Sequence, residues 1–597
     1  MPATRHSSAD DAAPAGLGHQ PASPEASDVH VAYFTMEVAL DTTLPTYSGG
    51  LGVLAGDFLR SAADLHLPLV GLTLRYRDGY FRQQIDADGD QRELPVSWDP
   101  ADVLERLEPT VTVEIGGHPV TVGAWRLLLE GVNGGSVAVL FLDTDLAENA
   151  AGDRAITDQL YGGDSEHRLR QEAVLGIGGV AMLDALGYTG LTTFHMNEGH
   201  ASLLTLRLLE TATAGASPAS PEQVEAVRAR CVFTTHTPVP AGHDRFTADL
   251  VRRVLGAKRA EELNTLNLLS GDELNMTTLG TALSGYVNGV SRRHAEVTRA
   301  MMPDLEVASI TNGVHHVYWT APPMRAVFDE HLPGWRADSS MLRYATDIGL
   351  EAISAAHARS KETLAGLVSS HAGMDLDANA LTIGLARRVT TYKRTMLLFS
   401  DPERLAAIAE RHGRLQVVCS GKAHPRDKAG KETIAALVSA GQRFGKSVSV
   451  VFLENYDLAL AAVLCAGCDL WLNNPLRPLE ASGTSGMKAA MNGVPSLSIL
   501  DGWWLEGCVE GVTGWAIGVD DGVVEPGEVP DGPAEPGDDA VALYDKLDDV
   551  VAPMFFGGGE GYLQVRRSAI ALNGSFFSTD RMAREYARAA YHLPPVL

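Results

Sequence analysis

Apolar residues fall into short runs separated by helical stretches, an alternation that predicts an α/β protein. Val31–Met36 reads as a strand, followed by a glycine turn at 48–52 and a helix over 53–65. Pro68–Tyr76 is a second apolar strand. Residues 78–150 carry strand-like segments, Thr110–Ile115 and Ser136–Leu142 among them, and read as a β-rich insertion. Leucine, valine and isoleucine recur at helical spacing across His167–Leu186. Strand-turn-helix units follow around Thr192–Leu209 and Cys231–Phe246, and Pro322–Gly373 is mostly helical without strands.

A second series opens at Leu381. Strands at Leu415–Cys419, Val448–Leu453, Asp469–Leu472 and Ser496–Leu500 alternate with helical segments near 401–411, 427–444, 457–466 and 485–492. Such alternation predicts a doubly wound parallel sheet. A chain of 597 residues is too long for one core. The expectation is two doubly wound, Rossmann-like α/β domains facing a central cleft. The first spans 29–375 and includes the β-rich insertion and the helical bridge. The second spans 376–597, with its last helices packing back on the first. Ligands then belong between them, at the carboxyl ends of the strands. Residues 1–28 read as a disordered leader without the apolar core of a signal peptide, and 519–540 as an acidic surface loop.

Net charge changes this picture most. At −27 the surface repels nucleic acid and anionic lipid, so any local basic cluster is informative. No apolar run approaches the ~20 residues that span a bilayer. The five cysteines (Cys231, Cys419, Cys465, Cys468 and Cys508) are odd in number and mostly flanked by apolar residues, which suits reduced thiols in a cytoplasmic protein. Cys465 and Cys468 form a C-A-G-C pair, but no second pair or histidine lies close by, so they read as core.

Three basic or glycine-rich clusters follow strands of the second series. Arg387, Arg388, Lys393 and Arg394 follow Leu381–Leu385 and suit an anion site or, equally, a solvated turn. Lys422, His424 and Arg426 follow the next strand. Ser482-Gly-Thr-Ser-Gly486 is a loop whose amides, with the helix behind it, suit a phosphate. Lys488 lies one turn into that helix among Met487, Ala489, Ala490 and Met491, where a lowered pKa suits Schiff-base chemistry with pyridoxal phosphate. A lysine snorkelling from an ordinary helix is the alternative. Glu480 suits sugar hydroxyls or a helix cap.

In the first half, Gly49, Gly50 and Gly52 allow backbone amides to approach an anion or sugar. His195, Glu198 and His200 could ligate zinc, but the HExxH spacing is absent and no metal is expected. With Thr234–Pro238 and Asn312–His316 they read as a sugar-lined cleft.

Together these segments resemble the glycogen and starch phosphorylases. EASGTSGMKAAMNG (480–493) is similar to their pyridoxal-lysine segment and ARRVTTYKR (386–394) to their phosphate-binding segment. YSGGLGVLAGDFLRSAADLHLPLVGLTLRYRDGYFRQ (47–83) is similar to their N-terminal glycine loop. FHMNEGHASL, VFTTHTPVPAGHDRF, YVNGVSRRH, ITNGVHHVYW, SGKAHP, FLENYD and DGWW extend the match in order over most of the chain, and the short bacterial branch fits best.

The resemblance implies a glycosyltransferase of GT-B-type architecture that splits or builds α-glucan or maltodextrin with inorganic phosphate and glucose 1-phosphate. It implies pyridoxal 5′-phosphate on Lys488, with Gly483, Thr484, Ser485 and Arg387 around the cofactor phosphate. Arg388, Lys393 and the Gly50 amide would bind substrate phosphate. Glu480, Tyr456, Leu51, Asn197 and His200 would meet the sugar. Lys488, Arg388, Lys393 and Glu480 are the implied catalytic set. Two departures stand out. Gly285 occupies the place where the long enzymes are expected to carry a sugar-contacting histidine, with Tyr286 as a candidate substitute, and Gly486 replaces an asparagine. No allosteric or phosphorylation site carries over. A nucleotide-sugar-dependent glucosyltransferase and a silent glucan-binding protein are the competing readings. The preferred glucan, the direction of reaction and the oligomeric state stay open, a homodimer among the options.

Overall fold

The computed structural model describes residues 25–216, 218–239, 242–444, 447–520, 522 and 536–595. The expected leader up to residue 24, and most of the acidic loop expected at 519–540, lie outside the described residues.

Apolar runs without polar alternation need cover on both faces, so they occupy the middle of helix-covered sheets. Val31–Thr35 and Leu69–Leu74 are buried along their whole length. They belong to a ten-stranded sheet. Its parallel strands, in chain order, are Val31–Thr35, Leu69–Leu74, Ser136–Asp143, Thr193–Asn197, Cys231–Thr234, Tyr286–Gly289 and Ala308–Ser309. They lie side by side as 3-2-1-4-5-6-7.

Ser136–Asp143 corrects the sequence reading. It pairs in parallel with Leu69–Leu74 and is buried from Val137 onward, so it is a strand of the main sheet rather than part of an insertion. The inserted β structure is the hairpin of Arg82–Ile85 with Gln91–Leu94, plus antiparallel strands packed on the sheet edge through His118–Glu130.

The second sheet is wholly parallel. Leu381–Ala386, Leu415–Ser420, Val448–Leu453, Leu470–Asn473, Ser496–Ile499 and Gly514–Ile517 lie in the order 3-2-1-4-5-6. In both sheets the winding reverses between strands 1 and 4, where diverging loops open a crevice at the carboxyl ends. The reversal points are Val31–Thr35 beside Thr193–Asn197, and Leu381–Ala386 beside Leu470–Asn473.

The last helix, Thr579–Ala589, packs against Gly50–Asp64 under the first sheet, with Ser61 Oγ 2.7 Å from Thr579 Oγ1. Tyr586 Oη lies 3.1 Å from Thr234 Oγ1 and accepts Asn288 Nδ2 at 2.9 Å. No helix among the described residues is long and apolar enough to cross a membrane.

Candidate active site

Loops leaving the two reversal points line one cavity of about 760 Å3. From the second sheet come Arg387, Arg388, Lys393, Lys422, His424, Arg426, Tyr456, Glu480 and the 482–485 loop, with Lys488 behind them. From the first come Glu37, Gly50, Leu51, Glu198, His200 and His236.

The cations divide by environment. Arg387 is buried, and its Nη2 donates to the Leu472 carbonyl. Burial lowers it to about 10, opposed by Glu480, and its Nε finds no partner. Arg388 is enclosed by the cleft yet exposed to its space. Lys393 Nζ ion-pairs with Glu480 Oε2, joining the loops of the two strands at the reversal point. Burial alone would lower Lys393, but Glu480 and Tyr392 outweigh it and the ammonium is held above its ordinary range. Glu480 is therefore a partner of Lys393 and not a helix cap. Arg394 leaves the cluster: φ is +44°, and Nη2 donates to the Pro475 carbonyl at 2.8 Å and to Asp539 at 2.6 Å. Its role is structural, tying two loops together.

Lys488 is 6% exposed. Among the described residues no carboxylate is in ion-pair reach of its Nζ, which sits 4.1 Å above the Trp319 ring. Burial lowers its pKa, with Asp57 opposing. The loop before it is shaped by Gly483 at φ +84° and by Gly486, where a Cβ would stand 2.7 Å from Trp503 Cζ2. Asp501 fastens the loop from outside: Oδ2 accepts Glu480 N and Oδ1 accepts Gly502 N, both at 2.9 Å. Trp503 N donates to the Ser482 carbonyl at 2.9 Å. Ser482 Oγ is buried without a partner, as are Thr390 and Thr395 Oγ1 on the neighbouring loop. A lysine with no carboxylate in ion-pair reach among the described residues, in one cavity with the orphaned Ser482 hydroxyl and the Arg387 guanidinium, is a donor set for a group carrying both an aldehyde and a phosphate, and pyridoxal phosphate fits it.

On the opposite wall, Gly50–Asp64 begins inside the glycine run, a turn earlier than expected, with Gly49 as an N-cap that offers no side chain. Gly49 and Gly50 face open space. Gly52 is the tight one, its Cβ position 2.7 Å from Tyr47 Cβ and 2.8 Å from Glu37 Oε2. Glu37 accepts Ser48 N at 2.6 Å and Gly49 N at 3.1 Å, and the Tyr161 hydroxyl at 2.9 Å. His200 lies 3.3 Å from Asp244, and Arg168 holds the same carboxylate at 3.0 Å. His236 Nε2 is 2.6 Å from Asn197 Oδ1. Burial lowers both histidines to about 3, so they are neutral hydrogen-bonding groups.

Several polar residues expected in the cleft are elsewhere. Asn197 does not line the cavity and reaches it only through His236. His195 is locked beneath the last helix, Nδ1 2.6 Å from the Tyr591 hydroxyl. His315 pairs with Asp64 at 2.8 Å and His316 contacts the Arg336 carbonyl at 3.0 Å. Gly285 and Tyr286 sit at the amino end of their strand, away from the cavity, and Tyr286 packs on the apolar cluster of the last helix. Tyr286 is thus no substitute for a sugar-contacting histidine; His236, on the neighbouring strand's carboxyl end, faces the cavity, as do His200 and His424. Glu37, Tyr161, Arg168 and Asp244 were not singled out from sequence. An acid two residues beyond the wholly buried strand Val31–Thr35 was the available signal for Glu37. No group of residues able to hold a metal occurs among the described residues, and the cysteines are free thiols.

The carbohydrate phosphorylase family model matches residues 37–143 and 242–510. Maltodextrin phosphorylase of Thermococcus litoralis is 38% identical over 94% of this chain and 70% of its own. Glycogen phosphorylase of Mycobacterium tuberculosis is 37% identical over the same shares, and that of Aquifex aeolicus 34% over 94% and 86%. The chain belongs to the carbohydrate phosphorylase family.

Proposed function

We propose that this protein is an α-1,4-glucan phosphorylase, exchanging the terminal glucose of a glucan and inorganic phosphate for glucose 1-phosphate, reversibly and with retention. The observation that carries the reading is Lys488: a buried lysine with no carboxylate in ion-pair reach among the described residues, behind a glycine loop, in one cavity with Arg387, Arg388 and Lys393. A nucleotide-sugar transferase has no use for that lysine. We take 29–375 and 376–597 as the two domains, with the reaction between them in the cytoplasm.

Lys488 would hold pyridoxal 5′-phosphate, with the amides of Gly483, Thr484 and Ser485 and the Arg387 guanidinium around its phosphate. When bound, the cofactor supplies a phosphate group that exchanges a proton with substrate phosphate. Arg388, Lys393 and the Gly50 amide bind substrate phosphate. Their charge offsets the repulsion of two phosphates, on the order of several kcal/mol at contact in a partly desolvated site. Lys393 turns from Glu480 to the incoming anion, freeing Glu480 for sugar hydroxyls. Leu51 and Tyr456 close on the glucosyl ring, and neutral His200 and His236 hydrogen-bond its hydroxyls. A phosphate O–H protonates the glycosidic oxygen as the bond to C1 breaks. A phosphate oxygen then bonds to C1 on the same face. The wall carboxylates are already engaged: Glu37 by Ser48, Gly49 and Tyr161, Glu198 by His236 and Thr237, Asp244 by Arg168, and Asp164 and Asp457 by the backbone N of His167 and Leu460, which they cap. None is left as the free acid–base pair that a hydrolase needs.

Phosphate-dependent release of glucose 1-phosphate from maltodextrin tests the reading. Release of free glucose, or turnover that requires a nucleotide sugar, overturns it.

A further inference from the structure

The inserted hairpin crosses the cleft. Gln83 belongs to the strand Arg82–Ile85 of the first half and is 1% exposed, yet it bonds mainly to the second. Its Nε2 donates to the Gly421 carbonyl at 2.8 Å, its Oε1 accepts Asn455 N at 2.7 Å, and its own backbone N donates to Asn455 Oδ1 at 3.1 Å. Nε2 also donates to Gln91 Oε1 at 2.9 Å. Gln91 extends the contact, accepting Ala423 N at 3.0 Å and donating to the Ala423 carbonyl at 2.9 Å.

Each loop so held delivers a cavity residue. Lys422 follows Gly421 and donates to the Phe81 carbonyl at 3.1 Å, just ahead of the hairpin. Tyr456 follows Asn455, whose φ of +60° is a left-handed conformation that asparagine adopts more readily than most L-residues.

We propose that Gln83 is a positioning residue for the reaction: from across the cleft it sets the loops that place Lys422 and Tyr456 in the cavity. This rests on the reading that Tyr456 faces the glucosyl unit. A primary amide is what the place requires. It donates both hydrogens and accepts a third bond, whereas a glutamate there would set oxygen against the Gly421 carbonyl and Gln91 Oε1, and a methionine would make none of these bonds.

Gln83→Met and Asn455→Gly test this, with Lys431→Met as the control. Lys431 pairs with Glu93 of the same hairpin at 2.8 Å but holds neither loop. Asn455→Gly accepts the positive φ without strain and removes the Oδ1 contact to Gln83 N. If Gln83→Met misfolds, Gln83→Glu, which keeps the acceptor for Asn455 N but loses the donor to the Gly421 carbonyl, decides the question. We expect kcat/KM for glucose 1-phosphate to fall about 10- to 100-fold in both variants, since small misplacements are that costly, and to stay unchanged in Lys431→Met. Thermal midpoints should stay near wild type. Amide exchange should quicken at 420–424 and 454–457 in Gln83→Met but not in Val31–Thr35. Wild-type kcat/KM in both variants, or unchanged exchange at the two loops, overturns the proposal. A wild-type chain that releases no glucose 1-phosphate overturns the functional reading instead, and the exchange measurement still decides whether Gln83 holds the loops.

Discussion

Lys393 and Glu480 form an ion pair between the loops of two adjacent parallel strands, at the point where the winding of the second sheet reverses. Each is the nearest countercharge of the other in a desolvated place; removing Glu480 strips Lys393 of its ion-pair partner, whereas removing Lys393 leaves Glu480 to the Arg387 guanidinium.

That pairing gives the first prediction. Lys393→Met should lower kcat/KM for phosphate on the order of 100-fold or more, the scale set by loss of one preorganised charge in an active site. Initial rates against phosphate at saturating maltodextrin check it. An unchanged value would remove Lys393 from the anion site.

The glycine run is graded by space. Gly52→Ala drives a Cβ into Tyr47 and Glu37 and should dislodge the carboxylate that holds Ser48 and Gly49. We expect about a 10- to 100-fold loss of kcat/KM. Gly152→Ala, exposed and away from the cavity, meets nothing within 4 Å and should stay within about threefold of wild type, inside the usual range for an unobstructed surface change. Equal effects of the two would contradict the placement of Glu37.

Asp501 carries a pH dependence. Burial, with the Glu480 charge adding to it, pushes its carboxyl up to about 7. The folded chain therefore keeps a proton that the unfolded chain releases above about pH 4. This group's contribution to stability is full below that value and is lost as pH rises towards 7. Asp501→Asn has no such loss, so its thermal midpoint relative to wild type should rise between about pH 5 and about pH 8. Midpoints at both pH values check this; a constant difference would show that the carboxyl is not shifted.

Much of the fold was legible because parallel strands buried on both faces are unbroken apolar runs. Those starting at Leu381, Leu415, Val448 and Ser496 lie within a residue or so of the expected positions. Ser136–Asp143 was misplaced because antiparallel strands precede it in the chain, and pairing partners are not local information. Gly514–Ile517 is too short and glycine-bounded to stand out. The basic residues after Leu381–Ala386 were visible, but position alone could not separate Arg388, which faces the cavity, from Arg394, which ties loops together. His195 and His236 likewise look alike in sequence. Burial beneath the last helix divides them, and that helix comes some 340 residues after His236. Arg168 and Asp244 gave no local signal, because their meaning lies in each other.

The central claim is that Lys488 holds pyridoxal phosphate, and borohydride reduction of the purified protein followed by peptide mapping tests it most directly. The account predicts a near-ultraviolet chromophore, a reduced pyridoxyl group on the peptide containing Lys488, and loss of both in Lys488→Ala with the fold retained. Active protein free of pyridoxal, or a label confined to another lysine, would contradict it.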